Sequence, residues 1–222
     1  LVQFSNGQRV DAQAISKVAH EHQALVALDA IQACGGVEVY PEKMAVDFLT
    51  FGGSKFLMAP RGVGLCYISS RVIETMDPPL QGWVNYDYSD GNYMNKNPPY
   101  REGAARFEHG TVPFYVIAGM AASLELINSV GIKTIAAHNH NLTSMMIEAF
   151  EKAGLEVITP HDPAKRGALI NVRLAPGKDP QKVVEHLDEH YQIKVSARFS
   201  GIRLSTHLYN TETEIQTAIA AL

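Results

Sequence analysis

Three charged side chains stand where a folding chain would not leave a charge without a reason. Lys55 follows a glycine pair and Ser54 at the end of the apolar run "DFLTF", and Asp29 closes the apolar run "ALVALD" with Gln32 one turn further on. Arg203 lies inside the strand-like stretch "GIRLSTH". A carboxylate, ammonium or guanidinium taken out of water is paired or put to use, because desolvation without a partner is costly. An amine, a carboxylate and a guanidinium are also the groups of nucleophilic attack, proton transfer and anion recognition. Taken singly, each has a plainer reading: a solvated residue at a strand end for Asp29 and Lys55, a surface ion pair for Arg203.

The elements that must position them alternate. "LVQFSNG" reads as a strand entered part-way and turned by its Asn-Gly; with no initiator Met and no signal-peptide pattern, the chain is expected to be a fragment. "DAQAISKVAHEHQ" carries apolar residues at helical spacing behind Asp11, a plausible N-cap. "ALVALDA" is a short continuous apolar run, expected to be a strand buried on both faces of a parallel sheet. "GGVEVYPEKMAV" is a connection with a short helical turn, and "DFLTF" and "GVGLCYIS" are two further buried strands. Strand, crossover and strand imply an α/β layer whose functional groups collect at the carboxyl ends of strands, where Asp29 and Lys55 fall.

From Asp77 to His109 the composition turns to Pro, Gly, Asn and Tyr without periodicity, a functional loop or interface segment. Trp83 and the tyrosines of this loop are expected to pack an interface. Two helices follow, broken at Gly131, with Pro113 suited to the first turn and Gly154 to the C-terminal cap. "LEVITP", "ALINVRLA" and "KVSARFSGIRLSTHLYN" read as strands, with "PQKVVEHLDEHY" a helix between them and "TETEIQTAIAAL" a last helix.

Bulk properties narrow the function. The 222 residues are 46% hydrophobic and 19% charged, and no apolar run approaches the roughly 18 residues of a membrane span. A net charge of -4 and pI near 6.1, without a basic stripe, argue against nucleic acid. Cys34 and Cys66 sit in apolar surroundings and are expected to be buried thiols in a reducing compartment, the cytoplasm by default. "HEH" at His20–His22 and "HNHN" at His138–Asn141 lie on helices without a third ligand at metal spacing, and are expected to be solvated helix faces. "GVG" after Arg61 precedes a strand instead of opening a helix, so it is no dinucleotide fingerprint.

In order, "ALDAIQACG", "VDFLTFGGSKFLMAPRGVGLCYIS", "GW", "RFEHGT" and "IRLSTHLYNTETEI" resemble the class V aminotransferase family, fold type I enzymes that depend on pyridoxal phosphate (PLP), over nearly the whole chain. The cysteine desulfurases, kynureninases and isopenicillin N epimerase-like proteins are of this family. The resemblance implies part of a mainly parallel-sheet PLP domain over residues 1–115, then linking helices and a small C-terminal α/β domain over 116–222. It implies that Lys55 forms a Schiff base with the cofactor aldehyde and moves a proton at the substrate Cα. Asp29 would pair with the pyridine nitrogen, Gln32 with the ring hydroxyl and Ser54 with the phosphate. Gly110 and Thr111 would reach the phosphate of a neighbouring subunit, which requires a homodimer; a helix N-cap at Thr111 is compatible with that role. Arg203 would clamp the α-carboxylate of an amino-acid substrate. The desulfurase pattern usually has a histidine before the lysine and a serine two residues earlier, where this chain has Ser54 and Gly52. No cysteine follows Cys66, which turns expectation from a persulfide-forming desulfurase to an epimerase-like enzyme, a carbon–sulfur lyase or an aminotransferase. The alternative is a catalytically incompetent fragment that serves only in folding or dimerisation.

Overall fold

A computed structural model describes residues 1–222, apart from the side chain of Glu74. The α/β fold is as expected. Its first sheet, in the order β1 (Ala27–Asp29), β2 (Phe48–Gly52), β3 (Gly64–Ile68), is three-stranded. β1 and β2 are parallel, because α2 (Pro41–Met44) and its flanking turns carry the chain back across the sheet. β3 runs antiparallel to β2, Thr50 opposite Cys66, since the loop 53–63 holds no crossover helix and simply reverses the chain. The sheet expected to be mainly parallel is therefore mixed within this chain.

α1 (Ala12–Glu21) starts where Asp11 accepts the Ala14 N–H at 3.0 Å, as the sequence implies. The opening residues do not form the expected strand. Val2 pairs with Arg9 only as an isolated bridge around the turn at Asn6–Gly7, and Gly7 has φ +73°. β1 is not buried on both faces either: Ala27 and Asp29 are exposed, as are Gly64–Cys66 of β3, while Val46 and Leu49 anchor the sheet's inner side.

α4 (Phe114–Val130) and α5 (Ile132–Lys152) bend by 77° at Gly131, whose φ of +89° few residues other than glycine tolerate. No single helix is long and apolar enough to cross a membrane. The second sheet is four-stranded, β4 (Glu156–Val157), β5 (Leu169–Arg173), β7 (Gly201–Ser205), β6 (Ser196–Arg198), each pair antiparallel. Leu142, Met146 and Phe150 of α5 pack on Ile170, Val172, Ile202 and Leu204, and α6 (Pro180–Tyr191) and α7 (Glu212–Ala221) close this core with Leu187 and Ile215. The Leu169 end of β5 joins the other core, with Val2, Ala30 and Leu49. Asn171 also reaches back, its Nδ2 donating to the Ser5 carbonyl at 2.8 Å.

Loop 77–109 is held by Asn85, which is fully buried and donates to the Arg106 carbonyl, while Tyr86 stacks on Tyr100 with centroids 5.2 Å apart. Trp83, Tyr93 and Met94 of the same loop stay exposed. The histidine readings change. His20 Nε2 lies 3.0 Å from the Asp47 carboxylate, His138 meets the Asn210 carbonyl at 2.9 Å, and His140 is half-buried, so none of the three is a solvated face.

Candidate active site

Lys55 is presented by a loop that closes on itself. Gly53 donates to Val63, Ala59 donates back to Gly53 and Met58 to the Lys55 carbonyl, each at 2.8 Å. Phe56 then drops into the core and its carbonyl is gripped from two sides. Gly35, at φ +90°, leaves no room for a Cβ against the Phe56 oxygen, and His207 Nε2 bonds that oxygen at 2.8 Å. Because His207 Nδ1 accepts the Leu208 N–H, Nε2 carries the proton and donates. Burial holds the His207 pKa below an ordinary histidine's, against the pull of the Phe56 carbonyl, so the neutral tautomer persists.

Asp29 ends β1 with Oδ1 accepting the Ile31 N–H at 2.8 Å, which turns the chain toward Gln32. Gln32 is buried, yet it lines a cleft of about 410 Å³ with Asp29 and Lys55. It also lines an adjoining cleft of about 420 Å³ with Ser54, Lys55 and Arg203. Ser54 opens in turn onto a third cleft of about 620 Å³, which it shares with Asp29 and Cys66. The structure thus gathers Asp29, Gln32, Ser54, Lys55 and Arg203 around connected space, though they come from β1, its following turn, the β2–β3 loop and β7.

The electrostatics show the same proximity. Lys55 keeps a solvent-open face, but partial burial, then the repulsion of Arg203, pushes its pKa below that of an ordinary lysine, while Asp29 opposes the shift. Arg203 donates Nη1 to the Phe4 carbonyl at 2.9 Å and Nη2 to Ser196 Oγ at 3.5 Å, and its buried Nε has no partner among the described residues. This placement replaces the surface ion pair of the plainer reading: no carboxylate meets Arg203 among the described residues.

Gly110 and Thr111 are not brought in. They lie between the 3-10 turn at Gly103–Phe107 and α4, and line none of these clefts. Nor does Thr111 cap α4: the capping residue is Pro113, which makes no side-chain capping bond. Cys66 corrects the expectation of two buried thiols. It is exposed, because β3 is the sheet's outer strand and turns Cys66 toward the cleft with Asp29. Cys34 is half-buried, and burial pushes its thiol up to about 12.

Two groups that the sequence reading passed over stand at the same place, Arg198 and His207. The signal for Arg198 was alternation. Ser196 pairs with Arg203 across the β6–β7 hairpin, so the side chain two residues beyond Ser196 shares that face. His207 carried no such signal, since its role depends on a carbonyl 151 residues away in sequence.

The family model described as aminotransferase class-V matches residues 2–218. The chain belongs to that family. This class-V chain is 28% identical to a probable cysteine desulfurase of Pyrococcus abyssi, over 96% of this chain and 55% of the relative. It is 33% identical to a kynureninase of Cryptococcus neoformans, over 99% and 52%. Among solved structures it superposes on an apo cysteine desulfurase of Thermococcus onnurineus with TM-score 0.85 and 27% identity, covering 99% of this chain and 56% of the other. A C-DES variant described with glycine covalently linked to its PLP cofactor shares the fold at TM-score 0.85 and 22% identity, over 99% and 57%. The class-V chain spans about half the length of these relatives. Pyridoxal phosphate, the cofactor implied by the motifs, is the cofactor of this family.

Proposed function

We propose that this chain supplies the lysine, the ring-facing carboxylate and the carboxylate-binding arginine of a PLP-dependent enzyme that acts on an amino acid. The observation that carries the reading is the convergence of Lys55, Asp29 and Arg203 on connected clefts, with the Lys55 amine shifted toward its neutral form. The donor set fits the cofactor: an amine for its aldehyde, a carboxylate for its pyridine nitrogen, the Gln32 amide for its hydroxyl and the Ser54 hydroxyl for its phosphate. When bound, pyridoxal phosphate supplies an aldehyde that amines can exchange on and a ring able to accept electron density from a substrate Cα.

The chain's own groups set the rest. A guanidinium stays charged and offers paired donors, so Arg203 orients an α-carboxylate bidentately. Lys55, once neutral, takes the Cα proton and returns it, and lowering its pKa raises the fraction able to do so. Gly35 and His207 hold the Phe56 carbonyl and thereby limit the swing of the lysine's loop. Within this chain neither cysteine is a ready thiolate: burial pushes the Cys34 thiol up to about 12 and raises Cys66 as well. Racemisation, carbon–sulfur cleavage and transamination all share the proton step at Lys55, and the reaction is one of these. We place Gly110 and Thr111 at the cofactor phosphate of a second copy; the strongly exposed Phe114 and Tyr115 beside them support a covered face there.

The test is spectroscopic. Adding pyridoxal phosphate to the purified protein produces an absorption band of the lysine-bound cofactor that is absent in Lys55→Ala. A wild-type protein without that band, or a variant that keeps it, sinks the reading.

A further inference from the structure

The 420 Å³ cleft is lined by Lys55, Arg198 and Arg203, and by no Asp or Glu. Arg198 and Arg203 each bury an Nε that has no hydrogen-bond partner among the described residues. Neither guanidinium meets a carboxylate among those residues. Arg198 is aimed by the hairpin: Ser196 lies opposite Arg203 and Arg198 opposite Gly201, so both arginines project from one face. Its guanidinium lies 5.9 Å from the centre of the Phe4 ring and donates Nη1 to the Ala197 carbonyl at 2.6 Å, which holds it without neutralising it. Burial and the nearness of Arg198 both lower the Arg203 pKa, as expected of like charges sharing one wall.

Two half-buried cations on one wall repel each other, and anions bound between them relieve that cost. An α-carboxylate engages one of them. We propose that Arg198 is a specificity residue that binds a second acidic group, so that the amino acid taken by this cleft is a dianion with a carboxylate or similar acid on its side chain. The inference rests on reading the cleft as an amino-acid site. The competing anion is the cofactor's own phosphate, since Ser54 also lines this cleft.

The test uses two acids without an amine, propionate and succinate, titrated calorimetrically into the purified protein with and without added pyridoxal phosphate. Succinate binds about tenfold or more tighter than propionate, the scale of one charge-assisted hydrogen-bonded contact. Arg198→Gln abolishes that preference by weakening succinate more than propionate, whereas Arg203→Gln weakens both acids. Equal binding of the two acids by the wild type overturns the proposal, and so does a preference that survives Arg198→Gln. Loss of pyridoxal phosphate affinity in Arg198→Gln, with succinate binding intact, also overturns it and makes Arg198 a phosphate ligand. Should Arg198→Gln fail to fold by circular dichroism, Arg198→Met, which keeps the aliphatic stem and removes the charge, takes its place and is judged by the same outcomes. A succinate preference without a Lys55-dependent band would leave the arginine clamp standing and sink the enzyme reading alone.

Discussion

The two sheets of this chain are built for different work. β5 and β7 bury Ile170, Val172, Ile202 and Leu204 under α5, α6 and α7, a core enclosed by this chain's own helices. The sheet that leads to Asp29 and Lys55 buries Val46 and Leu49 but leaves Ala27, Asp29 and Gly64–Cys66 exposed. The arginines ride on the enclosed sheet, while the carboxylate and the lysine sit on the open one. On the proposed function, a guanidinium that meets a planar anion gains from a rigid strand, whereas a lysine that exchanges partners and moves protons gains from a loop facing open space.

The largest effect that tests this contrast is core truncation. Phe150→Ala, deep in the enclosed core, is expected to lower stability by about 3–5 kcal/mol in chemical denaturation. Leu65→Ala on β3 is expected to change it by about 0.5 kcal/mol or less, since Leu65 is 47% exposed. Comparable losses for the two would mean that the open face is covered in solution by another surface.

A smaller effect probes the buried anion that anchors the open sheet at the end remote from Lys55. Asp47 accepts from the Val26 amide at 2.7 Å and meets both Arg71 and His20 Nε2. Burial disfavours its charge, but these partners outweigh burial and hold the carboxyl below the usual carboxylate range. A group whose folded pKa is depressed stabilises the fold above its unfolded pKa of about 4 and loses that contribution as pH falls through the folded value. Asp47→Asn is therefore expected to cost about 2 kcal/mol near neutrality and to flatten the fall in stability below about pH 4, as measured by denaturant titration across pH. An unchanged acid profile would remove Asp47 as the anchor. The smallest effect is at α1, where Asp11→Ala, which deletes the bond to the Ala14 amide, should cost about 1 kcal/mol and lower Tm accordingly.

Local rules carried much of the reading. The N-cap at Asp11, the break at Gly131 and the final helix follow from neighbours a few residues apart, and the structure reproduces them, adding a Thr211–Glu214 capping box at the start of that helix. The opening strand failed for the converse reason. "LVQF" has strand-forming side chains, yet only Val2 finds a pairing partner, and a strand exists only when a ladder does. Cys66 fails similarly: an apolar run implies a fully buried strand, but burial on the second face requires a neighbouring layer, and β3 has none among the described residues.

By itself the sequence determined the α/β alternation, the family, and the side chains on which the proposed function rests, because helix periods, strand ends and the ordered motifs around Asp29, Lys55 and Arg203 are local patterns. The tertiary structure alone decided that β3 returns antiparallel, that Arg198 stands beside Arg203, and that His207 holds the carbonyl next to Lys55. Each of these joins segments far apart in the chain, and their pairing is chosen by burial and hydrogen-bond completion across the whole molecule, which no window of neighbouring residues contains.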